Sequence, residues 1–410
     1  MKQKKLMLLG GIRYLLPVIE AAHKLGAYVI TADYLPDNIA HKHSDEYVNV
    51  SILDRDAVLK AAQKHQIDGI MSFACDPGVA TAAYVAEKMG LPFQCSYESA
   101  AILQNKGCFR QFLIDNGFNC PKARSYESKT AALADMRSDK SDSKRPQYPV
   151  IVKPVDSVGS KGCTRVDSAD ELSAAIDIAL DNGHNGSIII EDFLTFESHH
   201  SSTDPFTVDG KIVSMTYSDQ LFDKTADNPY TPAFIIWSST MEQKHQYYLT
   251  SEIQRLFNLL HVRTGIYNIE TVVGQGGVPY IMEISPRGGG CKIAEIQHLA
   301  YGANLIENEI RKALSMPLNL EKERPIEGVW CEMIIHARPG QSGIFDHLEI
   351  APEMKEKVRV IDMTVKKGDI VRPFTGANMS LGDMFLHFDT REELDKAIAN
   401  VSQWMEIVVS

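Results

Sequence analysis

The sequence predicts a multidomain protein that combines the α/β and α+β fold classes. Apolar runs typical of strands alternate with helical stretches over the first hundred residues, which favours a parallel sheet. A polar stretch at 125–147 precedes a strand-rich segment, and another strand-rich region begins after about Leu314. A chain of 410 residues suggests about two or three domains at roughly 150 residues each. The predicted domains are 1–103, 104–314 with a subdomain at about 121–190, and 315–410.

The N-terminal region predicts strands at 5–9, 27–33 and 69–75, with helices between and after them. Ligands of a parallel sheet bind at the carboxyl ends of its strands. Gly10, Gly11 and Asp76 fall at those ends, so they are candidate substrate residues. The alternative is that the glycines form turns and the aspartate caps a helix.

Composition excludes several classes of protein. A net charge of −11 disfavours a nucleic-acid partner, because such partners require a basic face. No apolar run approaches about 18 residues, so we expect no membrane span and a cytoplasmic protein. The seven cysteines contain no C-x-x-C pair and indicate neither a zinc site nor a disulfide framework. The glycine patterns of dinucleotide-binding and P-loop proteins are also absent from the sequence.

A loop of small residues at 156–162 lies between two predicted strands. Such a loop can turn several backbone N–H groups toward one anion, although an exposed hairpin turn has the same composition. Lys161 at its tip and Lys153 in the preceding strand would add positive charge. Lys106 is a second candidate lysine at a helix start, where the alternative is a solvated surface charge. The residues of the loop that we expect to bind phosphate are Ser157, Gly159, Ser160 and Gly162.

Two strand-like runs around the loop at 274–279 predict a hairpin in which Glu270 lies opposite Glu283. Asn268 then lies opposite Ser285 on the same face. Facing carboxylates repel unless a cation lies between them, and magnesium is held in proteins by one or two carboxylates together with phosphates. The alternative is that both glutamates face water, but apolar neighbours on both strands disfavour it.

A turn with the sequence Ser-Pro-Arg-Gly-Gly-Gly follows the hairpin and ends at residue 290. Arg287 is suited to clamp an anion, because a guanidinium presents a planar fork of donors. We expect Gly288 and Gly289 to leave open space for a substrate. Lys292 offers charge to a second anionic group, or is a helix-surface residue. Lys292 and Asp76 are therefore predicted to choose among substrates.

Together these motifs resemble the ATP-grasp superfamily, specifically its carboxylate–amine ligases and carbamoyl-phosphate-synthase-like members. The resemblance covers most of the chain in order and implies an ATP-grasp architecture with a mobile lid and a small C-terminal domain. It implies that Lys106 and Lys153 bind the nucleotide and that the loop at 156–162 is the lid over the phosphates. It further implies adenine contacts from Glu191, Asp192, Phe193 and Leu194, a ribose contact from Glu197, magnesium ligation by Glu270 and Glu283, and a catalytic role for Arg287 and Lys161.

The resemblance implies an enzyme that activates a small carboxylate as an acyl phosphate, joins it to an amine, and releases ADP and phosphate. Its cofactors would be ATP and two Mg²⁺ ions, with Mn²⁺ able to replace them, and homodimers are common among such proteins. Ser285 departs from the usual asparagine, which puts its contact with the second metal in doubt. The alternatives are a bicarbonate-using or carbamoyl-phosphate-forming enzyme and a nucleotide-binding regulatory protein without chemistry.

Overall fold

The computed structural model describes residues 3–138, 140–157, 159, 161–183 and 185–410. Its N-terminal part is a parallel sheet of four strands in the order β3-β2-β1-β4, flanked by helices. The elements of this part, up to the helix that leads out of it, are β1 (Lys5–Leu9), α1 (Leu16–Lys24), β2 (Tyr28–Asp33), β3 (Glu46–Asn49), α2 (Arg55–His65), β4 (Gly69–Ser72), α3 (Asp76–Met89), α4 (Tyr97–Gln104) and α5 (Lys106–Asp115).

The parallel sheet places Asp76 at its ligand-binding edge. β1 and β4 are apolar and buried, as expected for strands covered by helices on both faces. Residues 73–75 connect β4 to α3, which has Pro77 in its first turn, where a missing N–H costs nothing. Gly90 ends α3 in the left-handed region at φ +67°. The predicted alternation of strands and helices is confirmed, but β3 was not anticipated from the sequence.

A four-stranded antiparallel sheet in the order β5-β8-β6-β7 follows. We call it the lid sheet. Ile151 pairs with Glu191 and Lys153 pairs with Ile189, so the side chains of Lys153 and Glu191 lie on the same face. Its elements are β5 (Ala123–Tyr126), α6 (Lys129–Met136), β6 (Val150–Pro154), β7 (Thr164–Val166), α7 (Leu172–Asn182) and β8 (Ile188–Asp192).

The central region contains the predicted hairpin within a sheet of order β16-β15-β9. A second small sheet has the order β11-β10-β14. The elements of this region are β9 (Ser201–Thr203), β10 (Phe206–Val208), β11 (Lys211–Ser214), β12 (Asp219–Phe222), β13 (Pro232–Trp237), α8 (Gln243–Leu259), β14 (Gly265–Ile266), β15 (Asn268–Gly274), β16 (Val278–Ser285), α9 (Ile293–Tyr301) and α10 (Leu305–Ala313).

The C-terminal region shares a sheet with the central region. The order β12-β13-β17-β21-β19 joins two strands from before residue 314 to three strands after it, so the predicted boundary there crosses one sheet. A sheet of order β20-β18-β22 closes the region. Its elements are β17 (Val329–Ile335), β18 (Gly343–Ile350), β19 (Val358–Met363), β20 (Ile370–Val371), β21 (Gly382–Phe388), α11 (Arg391–Ala399), α12 (Val401–Trp404) and β22 (Met405–Val409).

Helices of the described residues are too short or too polar to cross a membrane. The longest, α8, has 17 residues and carries charged and polar side chains along one face.

Candidate active site

The hairpin of β15 and β16 brings two glutamates face to face. Glu270 pairs with Glu283, and Asn268 pairs with Ser285, as the sequence predicts. Burial raises the pKa of Glu270 to about 7, and the charge of Glu283 adds to that rise. No group of three acidic, histidine or cysteine side chains in the described part of the chain is arranged to hold a metal. A divalent cation here would therefore take the glutamate pair together with oxygens from another molecule.

Lys106, at the start of α5, connects the hairpin to the loop at 156–162, which we call the phosphate loop. Its Nζ donates a hydrogen bond of 2.7 Å to the carbonyl of Ser157 and lies 3.7 Å from Oε1 of Glu283. Burial opposes its charge, but Glu283, Asp76 and Glu270 all favour it, and the pKa of Lys106 is raised. The predicted nucleotide lysine is thus a partly buried cation beside the glutamate pair, not a solvated surface charge.

Lys153 on the lid sheet pairs with Glu191, whose carboxylate is only 1% exposed. Nζ of Lys153 lies 2.7 Å from Oε2, and Nε of Arg110 donates to Oε1 at 2.7 Å. Burial would raise the pKa of Glu191, but these two cations hold it down at about 2. Each carboxylate oxygen of Glu191 thus pairs with one cation, and Glu191 orients Lys153. Its expected adenine contact stays a prediction.

Arg110 was missed by the sequence reasoning. It lies one helical turn after Lys106 on α5, and its Nη1 donates to the carbonyl of Met282 at 2.7 Å. Arg110 therefore connects the lid sheet, through Glu191, to the hairpin. The sequence did contain a signal for Arg110. Lys106 and Arg110 are four residues apart and therefore lie on one face of the helix, where Arg110 interrupts an otherwise apolar stripe.

The segment after β8 has few free backbone donors. The N–H of Asp192 donates to the carbonyl of Lys122 and that of Phe193 donates to the carbonyl of Pro149. Among the described residues, the N–H of Leu194 has no backbone acceptor. Within the described segment that is predicted to contact adenine through its backbone, the N–H of Leu194 is thus the donor without a backbone partner.

Glu197, the expected ribose residue, ties this segment to the hairpin turn. Its Oε1 accepts a hydrogen bond of 2.7 Å from the N–H of Gly276, and the side chain is exposed. It lines a cavity of about 380 Å³ together with His199 and His245. The second carboxylate oxygen remains open to a hydroxyl donor.

The phosphate loop is described at Ser157, Gly159, Lys161 and Gly162, whereas Ser160 lies outside the described residues. The hydroxyl of buried Ser157 donates to the carbonyl of Lys161 at 2.9 Å, which closes the loop. The side chain of Lys161 is exposed. Gly159 and Gly162 have φ values of +66° and +72°, which side chains rarely adopt.

Arg287 is paired with Asp76 of the N-terminal sheet. Nε and Nη2 donate to the two oxygens of Asp76 at 2.9 and 2.6 Å. The hydroxyl of Ser285 donates to Oδ1 of the same aspartate and accepts from Gln104, both at 2.7 Å. Burial would raise the pKa of Asp76, but Arg287 holds it below its usual range. Ser285 is therefore engaged with Asp76, and the predicted substrate residue Asp76 positions Arg287.

A family model described as an ATP-grasp domain matches residues 103–291, the stretch that carries these lysines, glutamates and Arg287. The chain contains an ATP-grasp domain. The formate-dependent phosphoribosylglycinamide formyltransferase of Bacteroides thetaiotaomicron is 24% identical over 403 residues, which are 96% of each chain. The match of the family model confirms the ATP-grasp domain that the motifs predicted.

Solved structures similar to the whole chain agree with the predicted architecture. An L-amino acid ligase from Bacillus licheniformis has a TM-score of 0.82 at 20% identity, and each chain is covered completely. A phosphoribosylglycinamide synthetase from Anaerococcus prevotii has a TM-score of 0.76 at 16% identity, again with complete coverage. The predicted fold class is confirmed.

Gly288 and Gly289, which follow Arg287 in the ATP-grasp domain, do not leave the predicted open space. A side chain at Gly288 would overlap the ring of Phe73. One at Gly289 would lie 2.8 Å from Oδ1 of Asp204. Only Gly290 has room, with its nearest neighbour 3.8 Å away. The prediction was wrong because these glycines allow close packing of the turn against its supports, not access for a substrate.

Asp204 is a further residue that the sequence reasoning missed. It is fully buried, accepts from the N–H of Gly289 at 2.7 Å and from the amide of Asn268 at 2.9 Å. Burial raises its pKa to about 7. It holds the glycine turn against the hairpin, and no local motif marks it in the sequence.

The other predicted substrate residues of the ATP-grasp protein are engaged in packing or ion pairs. A side chain at Gly11 would lie 2.5 Å from Cβ of Asn38, and one at Gly10 would lie 3.0 Å from Sγ of Cys75. Nζ of Lys292 lies 2.5 Å from Oδ2 of Asp362. Lys292 thus faces the C-terminal sheet, and the alternative that Gly10 and Gly11 are turn residues fits better.

Proposed function

We propose that this protein is an ATP-dependent ligase that activates a small carboxylate as an acyl phosphate and joins it to an amine, releasing ADP and phosphate. The observation that carries the proposal is the pair Glu270 and Glu283, opposed on one hairpin beside the buried cation of Lys106. Two facing carboxylates next to a lysine form a site for a metal-bound polyphosphate.

The nucleotide is held between the lid sheet and the hairpin. Lys153, oriented by Glu191, and Lys106 contribute two positive charges to the phosphates. The free N–H of Leu194 donates to the adenine edge, and the open oxygen of Glu197 accepts from a ribose hydroxyl. Phosphoryl transfer depends mainly on such positioning and charge.

Magnesium fits the site because two carboxylates face each other across the hairpin, and burial together with the charge of Glu283 raises the pKa of Glu270. Glu270 and Glu283 would hold up to two Mg²⁺ ions, or Mn²⁺ in their place, and the metal would neutralise charge on the transferring phosphate. Ser285 does not join this set, since its hydroxyl is held by Asp76 and Gln104.

Arg287 binds the carboxylate that is to be activated. A guanidinium has five N–H donors, and three of them are used by Asp76 and by the carbonyl of Gly288. The remaining N–H donors of Arg287 hold the substrate carboxylate. The same donors then stabilise the oxyanion that forms when the amine attacks. The loop at 156–162, with Lys161 at its tip, excludes water from the acyl phosphate when it closes.

The relatives support an amine as the acceptor. The names of the formyltransferase and of the L-amino acid ligase describe transfer or ligation to amine-bearing molecules. We further propose a cytoplasmic location and a homodimer, the latter testable by light scattering.

A phosphate-release assay with MgATP tests the proposed function. Small acids and amines are supplied singly and in pairs, and phosphate release should require both an acid and an amine. Release that requires bicarbonate instead of an organic acid would identify the carboxylase alternative. Nucleotide binding without phosphate release under any pairing would identify the regulatory alternative.

A further inference from the structure

An acidic cluster lies beside the glycine turn, which is the turn at 285–290. The cluster is between α9 and the five-stranded sheet of order β12-β13-β17-β21-β19, which we call the C-terminal sheet. Glu332 and Asp383 project from the same face of that sheet, because Asp383 pairs with Ile334, two residues after Glu332. Asp362 pairs with Asp383 and shares the face. Glu295 approaches from α9. We call Glu295, Glu332, Asp362 and Asp383 the acidic cluster.

Two cations neutralise only part of this charge. Nη1 of Arg13 lies 2.6 Å from Oδ2 of Asp383, and Nζ of Lys292 lies 2.5 Å from Oδ2 of Asp362. Lys292 is 3.9 Å from Glu295, too far for a hydrogen bond. Among the described residues, Glu295 and Glu332 are therefore left without a closely paired cation.

Glu332 is the deepest member and is fully buried. Neither of its carboxylate oxygens has a hydrogen-bond partner within the described residues. A buried polar group without a partner costs about 1–3 kcal/mol, and more if it is charged. Packing alone does not account for a glutamate in such a position, because an apolar residue of similar size would remove that cost.

The cluster adjoins the proposed active site. Gly290 approaches the ring of Tyr14, whose hydroxyl accepts from Arg13 at 2.9 Å. Burial raises the pKa of Glu295 to about 7, and the carboxylates of Asp383 and Asp204 add to that rise. The contribution of Asp204, which supports the turn after Arg287, links the acidic cluster electrostatically to that turn. The rim is open, since the side chains of Glu295 and Asp362 are 23% and 48% exposed.

We propose that the acidic cluster binds a primary ammonium group of a substrate, with Glu332 and Glu295 as its acceptors. This inference rests on the proposed ligase function and names the chemistry of one substrate. An ammonium carries one positive charge and three N–H donors, which matches two uncompensated carboxylates. The described residues offer no three-ligand arrangement for a metal, which favours an organic cation. The ammonium belongs either to the acceptor amine or to a second group on the acid.

Calorimetric binding of matched pairs tests this proposal without turnover. In each pair a hydroxyl replaces the ammonium: glycinamide with glycolamide, ethanolamine with ethylene glycol, and glycine with glycolate. The wild-type protein should bind at least one ammonium member roughly tenfold more tightly than its partner, as expected for one charge-assisted hydrogen bond. A preference within the amine pairs assigns the site to the acceptor amine, and one confined to glycine assigns it to the acid.

Glu332→Gln and Glu295→Gln should each abolish the preference, whereas Glu349→Gln, on the exposed part of β18, should leave it unchanged. Glu332→Gln should also retain or raise the unfolding temperature, because it removes an unpaired buried acid. Equal binding of both members of every pair by the wild-type protein overturns the proposal, as does a preference that survives Glu332→Gln. Failure of the ligase function would appear separately, as no phosphate release by a protein that still discriminates the pairs.

Discussion

The positions of single side chains in this site depend on the charged groups around them. Glu270 is half-buried opposite Glu283, and Nζ of Lys106 lies 3.7 Å from Glu283. The sequence predicted this glutamate pair because the period of two along strands fixes which side chains face each other. It did not predict that Glu191 would be enclosed by Arg110 and Lys153, because that contact depends on the packing of a helix against a distant strand.

Glu283→Gln should reduce turnover at least about 100-fold, since it removes a metal-binding charge and keeps the volume. The metal-free variant should unfold at the same temperature as the wild type or higher, because like charges no longer face each other. Added Mg²⁺ should stabilise the wild type and not the variant. Steady-state kinetics and thermal unfolding provide the readouts, with Glu349→Gln as the control. Near-normal activity of Glu283→Gln with magnesium would show that the metal assignment is wrong.

Asp76 and Arg287 should behave as one unit. The sequence suggested that Asp76 selects among substrates, but its bidentate contact with Arg287 indicates that Asp76→Asn lowers activity with every substrate. Breaking such a buried pair costs about 3–5 kcal/mol of stability. The double variant Asp76→Asn/Arg287→Ala should be less destabilised than the sum of the two single variants, measured by urea unfolding. Additive losses, or a changed preference among substrates in Asp76→Asn alone, would contradict this account.

At the scale of elements, the hairpin of β15 and β16 has a register that the alternation of side chains along its strands predicts only in part. Its register is as predicted from Asn268 to Glu270, but a bulge at Met282 shifts the pairing so that Thr271 faces Ile281. The turn is consequently shorter than predicted, since β15 ends at Gly274 and β16 begins at Val278. The bulge turns the carbonyl of Met282 toward Arg110, a tertiary contact that no local pattern reports.

The lid sheet depends on Glu191 for its link to α5. Since the folded-state pKa of Glu191 is lowered to about 2, its stabilising contribution is present above its ordinary pKa of 4.5 and is lost as the pH falls toward 2. Glu191→Gln should therefore flatten the difference in stability between pH 5 and pH 2, lower stability at neutral pH by about 3–5 kcal/mol, and weaken ATP binding. Urea unfolding over this pH range measures the effect, with exposed Glu127→Gln as the control. An unchanged acid profile would exclude the role of Glu191 in holding Lys153.

The whole molecule is organised around a sheet that crosses the predicted domain boundary. The sequence placed that boundary at residue 314 because a strand-rich region begins after it. Composition does not reveal which strands pair when they are far apart in the sequence, so the pairing of β13 with β17 was not predicted. The division into domains stays a prediction.

Truncation after Leu314 should therefore not yield an independent ATP-grasp unit. It would expose the edge of β13 and the apolar side chains of Phe234 and Ile236, which pack against the C-terminal strands. We expect aggregation and no cooperative unfolding transition. Cooperative unfolding of the truncated chain, measured by calorimetry, would show that the boundary is a true domain border.

The central claim is that a substrate carboxylate attacks the terminal phosphate of ATP. Once the assay has identified an acid and an amine, the acid is supplied with ¹⁸O in its carboxylate, and the released phosphate is analysed by mass spectrometry. The account predicts that each phosphate carries one ¹⁸O atom, because the C–O bond to the leaving phosphate oxygen breaks when the amine attacks. Phosphate without ¹⁸O, released at the same rate as the amide forms, would contradict it.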